Sequence, residues 1–288
     1  MLNFIVNTHS GKGLGKNNLN KIIDYCHKNK VDYSVHITNA KGHAIKLAKV
    51  LSQTSDGVIV AVGGDGTFHE VLNGVVDPSK QAIGFIPSGR GNDFAKGIGI
   101  PLKVKDALDL IVNGEQTFYD YIQIGQKRCL NVAGTGLDID VLERVDGRDG
   151  KITYLKSLIY CLSHFEPYHV QVTDQDGSTK ELDVIMLGVG NGKQFGGGMK
   201  VCPDAKVDDG LMDISIIIMP EDGKIFPILP PFVKGKHKNI KAIQSYKCKK
   251  IAVKTSKPVQ LDGEIYKDLD MTCQIVEKGL KTFKAKKK

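Results

Sequence analysis

Residues 57–64, GVIVAVGG, form an unbroken apolar run that ends in two glycines. A strand wetted on one face alternates apolar and polar residues, whereas a run without a polar break is buried on both faces, as inside a parallel sheet. Parallel neighbours need crossover connections, usually helices. The flanking chain supplies both parts. Leu2–Asn7, Tyr33–Thr38 and Ala82–Ile86 read as further strands, and Leu19–Lys28, His43–Leu51, Phe68–Val76 and Val104–Val112 carry helical spacing. Such alternation over residues 1–118 predicts a doubly wound α/β domain.

Beyond Phe118 the pattern changes. Tyr119–Ile124, Lys127–Val132, His169–Thr173, Leu182–Val189, Met212–Met219, Lys250–Lys254 and Met271–Val276 read as strands, separated by turn-like pieces such as DQDGS and KVDDG. One helical stretch, Lys151–Phe165, interrupts them. The expectation is a second, mainly β domain over 119–270, with 271–288 a C-terminal segment that can return to the first domain. A chain of 288 residues accommodates two domains.

No apolar run reaches the roughly 18 residues of a membrane span. The opening MLNFIVNTHSG lacks the cationic flank and long apolar region of a secretory signal. The six cysteines form no CxxC pair and no Cys/His cluster, which argues against a thiolate metal site and for a reduced, cytoplasmic protein. The net charge of +8 is uneven: residues 234–288 hold 16 Lys against 5 acids, a net of +11, and the rest carries 24 basic and 27 acidic side chains, a net of −3. That basic segment suits a peripheral contact with an anionic membrane as well as a plainly solvated surface. Few aromatics interleave with its lysines, so nucleic acid is the weakest partner.

Three glycine-bearing stretches follow strands. His9–Lys16, HSGKGLGK, is one residue short of GxxxxGK[ST], and Asn17 replaces the Ser/Thr that would hold Mg²⁺; it offers backbone N–H groups to a phosphate or is a structural turn. Gly63–Glu70, GGDGTFHE, joins a buried strand to a helix start that favours an anion. Asp65 in that turn makes sense beside a phosphate that arrives with a metal, or as a helix cap. Pro87–Ala95, PSGRGNDFA, adds Arg90 and a second carboxylate, Asp93. Strand C-termini in a parallel sheet face one crevice, so the three turns are expected to share it.

Taken together, GGDGTFHEVLNG, PSGRGNDFAKGIGIP, the Asn131–Asp138 segment NVAGTGLD, the glycine-rich Gly188–Gly198, PDAKVDDG at 203–210 and LDGE at 261–264 resemble the diacylglycerol kinase catalytic-domain family. That family includes bacterial soluble lipid kinases and sphingosine kinases. GGDGT alone is shared with NAD kinases; the ordered set separates the two. The resemblance implies an α/β fold: an N-terminal doubly wound, NAD-kinase-like nucleotide-binding domain and a C-terminal β-sandwich, with the active site between. It implies an enzyme that moves the γ-phosphoryl group of ATP to a lipid hydroxyl, diacylglycerol first, with a sphingoid base or NAD as the alternative acceptor and a non-catalytic lipid or nucleotide binder as the other class of reading.

By matching motifs, ATP sits against Ser10, Gly11, Lys12, Gly13, Leu14, Thr38, Gly64, Asp65, Gly66, Thr67 and Glu70. Position 90 often carries Thr or Ser in the family; here it is Arg90, a phosphate contact. Asp262 matches the general base, with Glu264 on the nucleotide side. Asp65, Asp93 and Asp120 match an acidic network around Mg²⁺. The DDG turn matches a separate structural Mg²⁺ site, with Asp209 as side-chain ligand and the carbonyls of Lys206 and Leu211 completing it. Tyr154–Phe165 and Ile225–Val233 are candidates for an acyl groove or for ordinary core. Which lipid is the acceptor, and the oligomeric state, a homodimer among the alternatives, stay open.

Overall fold

A computed structural model of the chain describes residues 1–145, 151–237 and 240–286. The unbroken apolar runs pair in parallel: β1 (Leu2–Val6), β2 (Tyr33–Ile37), β3 (Val58–Gly63) and β4 (Ile83–Pro87) form one sheet in the order β2-β1-β3-β4. Every residue of β1 and β4 is buried, and all of β3 after Val58, as strands covered on both faces require. Helices α1 (Ser10–Asn29), α2 (His43–Thr54) and α3 (Asp65–Gly74) make the crossovers, and α4 (Asp93–Ile98) and α5 (Val104–Asn113) follow β4. The buried residues of α5, Val104, Ala107, Leu108 and Ile111, fall at i, i+3, i+4 and i+7, one face of a helix.

Two helices of the first part differ from the predicted elements, and α6 (Leu137–Val145) and α8 (Leu229–Val233) in the second part have no predicted counterpart. α1 starts at Ser10 rather than Leu19, so the glycine-rich stretch enters its first turns, with Gly11 and Gly13 at φ 59° and 92°. α4 has no predicted counterpart, because six residues that include a glycine carry too little periodicity to read.

The second sheet is built from β5 (Glu115–Ile124), β6 (Lys127–Cys129), β7 (Val132–Gly136), β8 (Tyr168–Asp174), β9 (Thr179–Gly190), β10 (Met212–Ile218), β11 (Ile243–Cys248), β12 (Lys250–Thr255), β13 (Val259–Leu261), β14 (Glu264–Tyr266) and β15 (Met271–Lys284). Its main path is β14-β13-β7-β9-β8-β12-β15-β5-β6, with β10 paired to β9 and β11. Inward residues alternate with outward ones: Val170 and Val172 of β8 and Ile251 and Val253 of β12 are buried, while Gln171 and Lys254 are not. Helices α6 (Leu137–Val145), α7 (Lys151–Ser163) and α8 (Leu229–Val233) complete this part.

The chain divides into two compact units. The first comprises residues 1–121, 207–210 and 276 onward, and the second comprises 122–206 and 211–275. The short return at 207–210 has no signal in the sequence, which places it with the β domain. β15 brings the chain back to the first unit: Lys281 N–H donates to Pro78 O at 2.8 Å, Thr282 Oγ donates to Ile83 O at 2.7 Å, and Phe283 joins that unit's core. All six cysteines are free and buried.

Candidate functional site

The three glycine turns of the first unit meet backbone to backbone. A Cβ added to Gly89 would lie 2.5 Å from Gly64 Cα, and one added to Gly11 would lie 2.2 Å from Ser88 O. Both distances are below any real Cβ contact, so at these positions only glycine allows the approach. Polar side chains bind the same turns together. Asn18 Nδ2 of α1 donates to Ser88 Oγ at 2.8 Å, Asn7 Nδ2 donates to Thr67 Oγ1 at 3.2 Å, and Ser88 N–H donates to Gly63 O at 2.6 Å. The junction lies at the C-terminal ends of β1, β3 and β4, where parallel sheets bind ligands.

Asp65 is the first residue of α3, and its Oδ1 accepts the Phe94 amide at 3.3 Å. It thus serves the first turn of α4, a helix whose own N-cap, Asn92 at φ 47°, makes no side-chain cap bond. Asp93 begins α4 and is buried; Arg90 is exposed. Thr38 is buried with its hydroxyl turned to Val6 O at 3.4 Å, so it faces the sheet rather than a crevice. Glu70 also departs from its predicted place: its two oxygens accept the amides of Gly42 and Ala44 at 2.8 and 3.2 Å and cap α2. A carboxylate at a helix N-terminus satisfies unpaired amides and opposes the helix dipole, which explains Glu70 without a nucleotide. Ser10 donates to Asn7 O at 2.8 Å, and Leu14 is exposed; the Lys12 side chain lies outside the described residues.

In the second unit LDGE is a hairpin. Leu261 pairs with Glu264, and Asp262 and Gly263 sit at φ 54° and 91°, the two positive values that a type I′ turn demands and Asp-Gly supplies. The turn aims Asp262 back at the β6–β7 junction. Its Oδ1 accepts the Asn131 amide at 2.7 Å and the Cys129 thiol at 3.2 Å, its Oδ2 accepts the Leu130 amide at 2.9 Å, and its own amide donates to Val132 O at 3.0 Å. This explains why the predicted strand Lys127–Val132 is two strands: the amides of Leu130 and Asn131 leave the ladder for a side chain. Burial, with the Asp262 charge second, pushes the Cys129 thiol well up, so it is a donor and not a nucleophile. Asn191 completes the cluster, with Nδ2 donating to Leu130 O at 2.9 Å.

Residues 1–124 match the diacylglycerol kinase catalytic domain, and residues 131–284 match the YegS C-terminal NAD kinase beta sandwich-like domain. The chain belongs to the diacylglycerol kinase catalytic-domain family. It is 30% identical over 213 residues to a "Probable lipid kinase YegS-like" of Klebsiella pneumoniae (strain 342), covering 72% of this chain and 71% of that protein. It is 29% identical over 268 residues to the diacylglycerol kinase of Bacillus subtilis (strain 168), covering 90% and 88%. The crystal structure of a diacylglycerol kinase from Bacillus anthracis str. Sterne superposes with a TM-score of 0.78 at 26% identity, covering 98% of this chain and 96% of that one.

Within this lipid kinase family member the acids expected around Mg²⁺ are Asp65, Asp93 and Asp120. Among the described residues no three His, Cys, Asp or Glu side chains are grouped as a metal site. Asp120 is held by backbone: its Oδ2 accepts the Gly210 amide at 2.8 Å, its Oδ1 the Lys278 amide at 2.7 Å, and its own amide donates to Val207 O at 2.7 Å. It braces the turn at 207–210 and the strand at 276–278 against β5. Asp65 and Asp93 remain as a pair at adjoining helix starts, and Asp209 is exposed on the braced turn. Cys161, Leu162, Ile225, Ile228 and Phe232 of the two acyl-groove candidates fill one core cluster; the side chains of Tyr154, Leu155, Ile159, Leu229 and Val233 are outside the described residues.

Asp138, which ends the Asn131–Asp138 segment, gains a functional candidacy from its surroundings. It is 5% exposed in the first turn of α6, neither oxygen makes a hydrogen bond of full geometry among the described residues, and its polar neighbours are the Asp138 and Ile139 amides and the buried Gln260 side-chain amide. Burial pushes its carboxyl up to about 7, against the smaller opposing pull of the Asp138 and Ile139 amides. A carboxyl poised near neutrality is the kind of group that holds or hands over a proton. The signal is burial, which a sequence does not print.

Proposed function

We propose that the protein transfers the γ-phosphoryl group of ATP to a lipid hydroxyl, with diacylglycerol as acceptor and phosphatidic acid as product. The observation that carries this reading is the meeting of Gly64 with Gly89 and of Gly11 with Ser88 at the ends of three parallel strands. Side-chain-free turns beside the start of α3 bring backbone amides close to a polyphosphate. Arg90, the single arginine between Met1 and Tyr121, adds a charge to that rim.

Phosphoryl transfer asks the protein chiefly to position the reactants and accept a proton. Asp262 is the proposed base: the amides of Leu130 and Asn131 fix its carboxylate, so it need not reorganise when the acceptor hydroxyl arrives. Glu264 stands two residues on, at the start of β14. Two carboxylates suit a magnesium ion that keeps waters and phosphate oxygens as its other ligands. Asp65 and Asp93 are the residues proposed to hold it, and it would neutralise charge on the transferring phosphate. Asp209 is the second candidate for such a cation.

The test is transfer of labelled γ-phosphate from ATP-Mg²⁺ in anionic mixed micelles to diacylglycerol, to sphingosine and to NAD, with Asp262→Asn beside the wild type. Labelled phosphatidic acid, lost in the variant, is expected. A labelled sphingoid base would keep the base and change the substrate. NADP would overturn the lipid reading.

A further inference from the structure

Between β10 and β11, residues 219–237 and 240–242 belong to an excursion of unusual composition. Four of the chain's ten prolines lie in it: Pro220, Pro227, Pro230 and Pro231. Ile225, Ile228 and Phe232 are buried in the second unit's core, and backbone bonds from Ile228 to Ile225 O at 3.0 Å and from Phe232 to Ile228 O at 3.2 Å order the segment. Phe226 stands between these anchors and points the other way. At 59% exposure its ring is the most exposed aromatic among the described residues, and Pro227 and Pro230 beside it are exposed as well. The excursion carries five lysines against Glu221 and Asp222, a net of +3, and Lys224, Lys234, Lys236 and Lys241 are all exposed.

We infer that this excursion is a membrane anchor, in which Phe226 and its neighbouring prolines enter the surface of an anionic phospholipid bilayer while Lys224, Lys234, Lys236 and Lys241 meet the headgroups. A lone exposed phenylalanine needs no explanation. One held outward on a proline-stiffened, basic segment has two properties that an anionic lipid surface rewards and water does not. Stiffness matters because an ordered segment loses little entropy on insertion. The reason for such an anchor rests on the lipid kinase reading: the acceptor sits in a bilayer, and no helix among the described residues is long and apolar enough to cross one.

The chain contains no tryptophan, so Phe226→Trp installs a sole indole at the tip. With vesicles of phosphatidylglycerol its emission is expected to shift to the blue and to be quenched by brominated acyl chains, and to do neither with phosphatidylcholine. An indole at Val50 on α2, exposed by 56%, is the control and is expected to respond to neither vesicle. Phe226→Ser, which leaves the buried anchors in place, is expected to weaken vesicle sedimentation roughly tenfold, the effect of burying most of one apolar side chain. Unchanged emission, or sedimentation of Phe226→Ser equal to wild type, overturns the anchor. A shift that grows with protein concentration without vesicles assigns the segment to a second copy of the chain and also overturns it. None of these readouts needs turnover: a kinase assay without lipid product beside a positive vesicle result removes the proposed function and leaves the anchor standing.

Discussion

The turns of the first unit touch through bare backbone, Gly64 on Gly89 and Gly11 on Ser88, whereas the hairpin of the second unit presents a carboxylate that backbone amides grip. One arrangement depends on atoms that are missing, the other on the charge of an atom that is present. They therefore fail differently. The glycine junction is damaged by adding a methyl group and is indifferent to charge; the Asp262 clamp is damaged by changing charge at constant shape.

The largest expected effect follows from the second kind. Asp262→Asn keeps the shape, removes the proposed proton acceptor and sets an amide donor against one of the backbone N–H groups. Turnover should fall about 10²- to 10⁴-fold, the usual worth of a positioned base, with nucleotide affinity in a fluorescence titration unchanged. Retained turnover would place the base elsewhere. Asp138→Asn comes next. With its carboxyl raised to about 7, Asp138 binds its proton more tightly folded than unfolded. Its contribution is full below about pH 4 and is lost as pH rises through 7, a penalty of at most about 4 kcal/mol. Urea unfolding at pH 5 and pH 8 should show the variant gaining on wild type at the higher pH; a constant difference would refute the buried-acid account.

Gly89→Ala tests the first kind. The added Cβ has no room beside Gly64 Cα, so the turns must part, at about 1–3 kcal/mol, and nucleotide affinity should fall by roughly tenfold or more. Affinity equal to wild type would show that the junction is packing alone. The smallest effect sharpens the comparison inside one unit. Glu70→Ala removes the cap of α2 and should cost about 1 kcal/mol in thermal unfolding with nucleotide affinity unchanged. A loss of affinity without a loss of stability would return Glu70 to the nucleotide.

What the sequence discloses follows the range of the cause. β3 and its neighbours are legible because burial on both faces writes itself into each strand as a continuous apolar run. α5 is legible because its buried face repeats every three to four residues. The edge strand β11, IQSYKC, is half polar, and β13 and β14 are three residues each, so no period has room to appear. The same limit governs the site. Glycines announce tight turns, and Asp-Gly in LDGE announces a hairpin, since both act on adjacent residues. Asp120 gives no such notice: its partners stand 90 and 158 positions away, and only the folded chain reveals a brace.

A strand that completes the first unit's core, β15, is made long after the rest of that core. Thr282 reaches Ile83 across 199 positions, and Phe283 fills a place in a core otherwise built from residues 2–111. At about 5–20 residues per second, a ribosome needs roughly 10–40 s to deliver that distance. Through that interval the core built from residues 2–111 waits with an apolar slot open. Its completion is set by synthesis rather than by its own folding rate, and a chaperone that shields the slot has a defined window in which to act.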